Sequence, residues 1–194
     1  MSRIIFCLIL VTVLLIAAFA SNQPKEPPIW KPDKTIANRL GALVDLEEFQ
    51  LNVPKQYQPV KQPGFQGSMA VAWVGRKRSD GTHPSITVAT TRLSSEQQAH
   101  LSLEHALDVF LAGIEKMRKG WNRTASERGK VNGVTFVRAR WSGTELTTEK
   151  MMHGFSYVTI DKGLLVQISS QDVEPYDKEA LGLAEAAALT FVKK

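Results

Sequence analysis

The segment Ser102–Trp121, SLEHALDVFLAGIEKMRKGW, limits the folds open to this chain more than any other. Leu103, Ala106, Leu107, Phe110, Leu111, Ile114, Met117 and Trp121 recur at spacings of three and four, which lays one apolar stripe along a helix. Ser102 is placed to cap the first turn, and Lys116, Arg118 and Lys119 complement the negative end of the helix dipole. Gly120 supplies a left-handed stop. The spacing therefore predicts a helix over Ser102–Trp121, and a stripe of that length has to be covered by the rest of the chain.

The flanking segments read mainly as strands. Phe49 to Val53 alternates apolar and polar residues before Pro54, whose missing N–H ends a ladder. MAVAWV, from Met69 to Val74, and ITVAT, from Ile86 to Thr90, predict two more strands. Between them Gly75 to Pro84, GRKRSDGTHP, forms a basic connection with Asp80-Gly81 at a turn. A short turn over Ser95 to Ala99 precedes the helix.

After Trp121 the period returns to two. Gly133 to Trp141 places Thr135, Val137, Ala139 and Trp141 on one face and Val134, Phe136, Arg138 and Arg140 on the other. Gly154 to Ile160 and Leu164 to Ser169 read as a hairpin through a three-residue loop, Asp161-Lys162-Gly163, with its glycine in the left-handed bulge position. Pro175 opens a closing helix, Tyr176 to Val192, with a stripe of Leu181, Ala184, Ala188 and Phe191 or Val192. The order is β-β-β-α-β-β-β-α. It predicts an α+β fold, an antiparallel β-sheet of about six strands packed with two main helices as an α/β sandwich.

The amino-terminal end reads differently. Ser2 and Arg3 precede an apolar run from Ile4 to Ala20, and Ala18-Phe19-Ala20 has small residues at the two positions a signal peptidase inspects. The expectation is an export signal cut before Ser21. The alternative is an uncleaved anchor, because the run just reaches the length at which a helix, rising about 1.5 Å per residue, spans hydrocarbon. Residues 21–42 hold Pro24, Pro27, Pro28 and Pro32, out of nine prolines in the chain, and read as a proline-rich linker or as a recognition peptide anchored by Trp30. Residues 43–194 are then a single α+β domain. The expected location is outside the cytoplasm, periplasmic or extracellular, with residues 1–20 as signal peptide or membrane anchor.

Composition removes several classes of function. The 194 residues are 43% apolar, enough for a core, and the net charge of +5 falls to +4 if the segment carrying Arg3 is removed. Spread over a domain, that bias lacks the dense basic stripe of a nucleic-acid binder. The one cysteine, Cys7, lies inside the leader, so the domain has no disulfide, thiolate metal site or cysteine nucleophile. Large residues before Cys7 depart from a lipobox. A cysteine-free exported domain suits a bacterial periplasm or exterior.

The leader, the F-x-L-x-V-P strand Phe49 to Pro54, the S-L-E helix start Ser102 to Glu104, the V-N-G-V strand start Val131 to Val134 and the alanine-rich Ala184 to Phe191 together resemble the Mog1/PsbP-like fold. The resemblance is nearest to its small exported bacterial members, which include the DcrB-like proteins, although no cysteine stands where their lipid-linked one is expected. It implies an α/β sandwich with binding or assembly-support roles. Nothing in these motifs carries over Ran binding or photosystem attachment.

Catalytic patterns are weak. His100 and His105 lie about 140° apart on a helix, unlike an i, i+4 chelating pair, and His83 and His153 stand alone, so no metal is expected. Gly154-Phe155-Ser156 begins a serine elbow but lacks its second glycine and falls within a strand. Gly64 to Gly67 has no following lysine or helix to hold a phosphate. Asn122-Arg123-Thr124 is a glycosylation sequon, relevant only in a host with that machinery.

What remains is surface. Arg76, Lys77 and Arg78 on the long loop and Arg138 and Arg140 on one strand face are the candidate binding residues for an anionic surface, with Trp73, Trp141, Phe155 and Tyr157 as aromatic anchors. The competing reading makes the arginines a solvated rim and the aromatics core. The expected function is an exported, non-enzymatic binding or assembly-support domain acting on a protein or cell-envelope component, including a membrane surface, through its sheet edge or basic loop. No cofactor, metal or nucleic acid is expected. The alternatives are a carrier of a small apolar ligand, and a hydrolase or transferase with an unrecognised site.

Overall fold

The computed structural model describes residues 26–46, 48–62 and 68–194. The leader with Cys7, the first part of the proline-rich linker and Gly64 to Gly67 lie outside the described residues. The elements are α1 (Lys34–Ala37), β1 (Leu40–Leu46), β2 (Phe49–Pro54), β3 (Gln58–Gln62), β4 (Ser68–Val74), β5 (Ser85–Arg92), α2 (Ser95–His100), α3 (Leu103–Glu115), β6 (Arg118–Arg123), β7 (Glu127–Val131), β8 (Val134–Glu145), β9 (Met151–Asp161), β10 (Leu164–Val173), α4 (Asp177–Ala188) and β11 (Val192–Lys193).

The class is α+β, as the pattern predicts, but there are two antiparallel sheets instead of one of about six strands. The larger has eight strands in the order β3-β4-β5-β10-β9-β8-β6, with β7 also paired to β8, and the smaller has the order β1-β2-β11.

Alternation along β8 and β9 splits the core in two. Val137, Ala139, Trp141, Met152 and Val158 meet Ala106, Leu107, Leu111 and Ile114 of α3. Phe136, Phe155, Tyr157 and Ile168 face the other way, against Phe49 and Leu51 of the small sheet and Ala184, Ala187 and Phe191 at the closing end of the chain. The α4 alanines allow close approach to the sheet, and Phe191 stacks on Phe49 with ring centroids 5.0 Å apart. Trp73, Trp141, Phe155 and Tyr157 are all buried, so they are core and not surface anchors.

The first long helix is shorter than its periodicity suggests. Ser102 caps it by accepting from the His105 amide, but the helix ends at Glu115 and Arg118 enters β6. Gly120, at φ +60°, lies where the β6–β8 register shifts between Lys119 and Asn122, and is not a helix stop. Trp121 still covers the same core by stacking on Trp141 at 5.4 Å, which is why a strand residue fits the helical spacing. The β9–β10 hairpin is tighter than expected. Asp161 pairs with Leu164, leaving the two-residue turn Lys162-Gly163 with φ +45° and +78°, the mirror-image turn that matches strand twist. The closing helix stops at Ala188, and Val192 and Lys193 pair with β2.

Residues 28–42 lie against the domain. The Lys130 amide donates to the Pro28 carbonyl, and the Trp30 amide donates to the Lys130 carbonyl, each at 2.8 Å. The Trp30 indole covers Gly129, sits 4.1 Å from the Arg138 guanidinium and meets Tyr157 edge-on at 5.6 Å. Strand β1 starts at Leu40, ahead of residue 43.

One substitution tests the two-sided core. A Cβ at Gly154 would overlap the Trp141 indole and lie 2.8 Å from the Ser170 carbonyl oxygen. Gly154→Ala is expected to destabilise the domain by about 1–3 kcal/mol, the range for overpacked cores, read from the urea midpoint.

Candidate functional site

The four candidate arginines and the one candidate lysine do not form one patch. Arg138 and Arg140 alternate with buried residues on β8 and converge on α4. Arg138 donates to Glu127 at 2.8 and 2.9 Å and to the Tyr157 hydroxyl at 2.8 Å. Arg140 and Arg138 both pair with Glu185, which also accepts from the Tyr157 hydroxyl at 2.7 Å. Burial, then the Glu185 charge, pushes the Tyr157 phenol well above its ordinary value. These two arginines therefore tie α4 to the sheet.

Arg78 is also committed. Its guanidinium makes a bidentate pair with Asp172 at 2.6 and 2.7 Å, where the Asp172 side chain is only 2% exposed, and it lies 4.4 Å from the Tyr176 ring. The hydrogen bonds to Asp172 hold Arg78 above its ordinary value. The loop from Gly75 to Pro84 is braced twice more. Asp80 accepts from the Thr82 amide and hydroxyl, and Lys150 reaches Asp80 at 2.9 Å. Arg76 and Lys77 protrude from this braced loop with no carboxylate partner among the described residues.

The loop forms one wall of a cleft of ≈ 480 Å³, against hollows of ≈ 180 and ≈ 190 Å³ elsewhere. The other walls are the α1–β1 junction at Asn38 and Arg39, the β2–β3 turn from Pro54 to Tyr57, and the start of α4 from Pro175 to Leu183. Arg39 pairs with Glu179 across the mouth at 2.7 Å, and the Lys55 ammonium donates to the Asn38 carbonyl at 2.8 Å. The volume is that of a small-ligand site, while the cationic lining departs from a purely apolar carrier pocket.

Tyr57 is the residue that sequence reading missed. It is 9% exposed, packs its ring against Gly75 and Pro84, and lines the cleft. Burial first, and the Asp172 charge second, push its phenol up to about 12, so it stays a neutral donor over the physiological range. Its surroundings, a lone tyrosine between two glutamines with Pro54 and Pro59 on either side, carry no pattern that marks a site.

No protein-family model matches the sequence, and no match was found among curated proteins. Solved structures do resemble it. The cyanobacterial PsbP, CyanoP, from Synechocystis sp. PCC 6803 superposes with a TM-score of 0.57 at 12% identity, covering 84% of this chain and 90% of its own. LpqN, involved in cell envelope biogenesis of Mycobacterium tuberculosis, gives 0.54 at 12% identity, covering 85% and 98%. The Saccharomyces cerevisiae Ran-binding protein Mog1p gives 0.55 at 11% identity, covering 78% and 94%. At these identities the likeness is one of fold.

Two measurements test the site's electrostatics. Asp172→Ala leaves Arg78 largely buried and unpaired and is expected to cost about 3 kcal/mol of stability, by chemical denaturation. The raised phenols act at alkaline pH. Between about pH 10, where unfolded tyrosine ionises, and about pH 12, the folded Tyr57 retains a proton that the unfolded chain has lost. Stability is thus whole below pH 10 and falls as pH rises through this window, an outcome that urea midpoints across the range will check.

Proposed function

We propose that this chain, which has the Mog1/PsbP-like fold, is an exported, non-enzymatic binding or assembly-support domain that docks a cell-envelope component or protein through the cleft and its basic loop. The observation that carries the reading is the division of labour among the cations. Arg78, Arg138 and Arg140 are held by carboxylates and shape the structure, whereas Arg76 and Lys77 stand on a braced loop beside the cleft without one among the described residues. A rigid loop presents charge without a large ordering cost on association.

Export rests on residues 1–20, with their charged start, apolar run and A-x-A site. Within the described residues no helix is long and apolar enough to cross a membrane. The fold is shared with a protein involved in cell envelope biogenesis and with a Ran-binding protein, which supports a binding or assembly role.

Cross-linking in the intact envelope tests the docking face. The double substitution Arg76→Glu with Lys77→Glu is expected to abolish the cross-linked product at unchanged protein level. The same charge change at Lys116 and Lys119, which are exposed away from the cleft, is expected to leave it intact. Equal capture by both variants would remove the loop from the account.

A further inference from the structure

The cleft carries a chemical specification beyond that of a docking surface. Of its charged lining groups, Arg39 is neutralised by Glu179 and Arg78 by Asp172. Lys55 and Arg76 have no carboxylate partner among the described residues, and Lys55 spends one of its three donors on a backbone carbonyl. The cleft therefore presents two uncompensated positive charges. Tyr57 lines the same cleft as Arg39, Glu179 and Arg78. Its hydroxyl has no hydrogen-bond partner among the described residues and stays within reach of solvent in the cleft. A phenol donor in a cleft with two uncompensated cations suits an oxyanion.

The remaining lining is the amides of Asn38 and Gln56 and a largely apolar wall. Pro54, Pro84, Pro175, Tyr176, Ala180 and Leu183 supply walls without strong hydrogen-bonding side chains apart from one phenol. The volume of ≈ 480 Å³ is several times what a bare phosphate or carboxylate fills. We propose that the cleft binds a small amphiphile bearing one acidic head, phosphate or carboxylate, with the Tyr57 hydroxyl and the Arg76 guanidinium donating to the head and the proline and leucine wall receiving the apolar stem. This rests on the reading of the cleft as the docking site. The head chemistry is common to an anionic lipid in a bilayer and to a free amphiphile in solution.

Calorimetric titration of the purified chain with octyl phosphate below its micellar range tests this, with inorganic phosphate and octyl glucoside as the head-only and stem-only probes. Octyl phosphate is expected to bind at least about tenfold more tightly than either, a difference of about 1.4 kcal/mol. Tyr57→Phe keeps the ring and removes a hydroxyl with no protein partner among the described residues. It is expected to leave the thermal midpoint unchanged while weakening octyl phosphate binding about threefold to tenfold, as for loss of one hydrogen bond. Vesicles of phosphatidylcholine with and without phosphatidate identify the source. Capture that requires phosphatidate supports a lipid head in the bilayer, and binding of octyl phosphate without vesicle capture supports a free amphiphile.

Equal binding of octyl glucoside and octyl phosphate, no binding of octyl phosphate, or unaltered binding by Tyr57→Phe would overturn the proposal. If octyl phosphate fails while envelope cross-linking still depends on Arg76 and Lys77, the ligand class falls and the docking face stands. If cross-linking is indifferent to those residues as well, both fall.

Discussion

Strand β9 is buried on both faces, and that constraint organises the molecule. Phe155 and Tyr157 point to one core, and Met152 and Val158 to the other. A strand with two apolar faces needs a cover on each side, because neither set of side chains can be left to water without losing about 25 cal/mol for every Å² of apolar surface. Helix α3, with Trp121 of β6, covers one face. The other is covered by α4 together with the three-stranded sheet, and the loop and turn residues at the α4 start leave the cleft between them.

The arginines follow from the same arrangement. A helix packed by alanines brings its polar edge close to the sheet, so Glu185 is within reach of Arg138, Arg140 and the Tyr157 hydroxyl, and Asp172 at the end of β10 is within reach of Arg78. Partly buried guanidinium groups need such partners, since an unpaired charge there is costly. Charge that can meet a ligand is then left to positions that burial does not govern, Arg76 and Lys77 on the loop and Lys55 on the opposite wall.

The legible parts of the fold were those with at least one buried face. Strands β2, β4, β5, β8, β9 and β10 alternate or run apolar as half-buried or fully buried strands must. Strands β3 and β7, QPVKQ and ERGKV, do not, because they are short and lie at or beside sheet edges, where polar residues are tolerated. The polar β6, RKGWNR, was hidden for another reason, since Met117 and Trp121 prolong the helical spacing past the end of α3. The site was less legible than the fold. The basic loop was visible as a run of charge, but the pairing of Arg78 with Asp172 joins residues far apart in the chain, and the role of Tyr57 depends on walls contributed by four separate segments. No local spacing encodes either.

Hydrogen exchange read by mass spectrometry, comparing the purified chain with the chain in its native envelope, tests most directly whether the cleft is where this domain meets its partner. The account predicts added protection in residues 54–57, 75–84 and 175–183, with the amides of α3 and β6 on the opposite face unchanged. Protection confined to α3 and β6, with the loop exchanging as fast in the envelope as in solution, would contradict it.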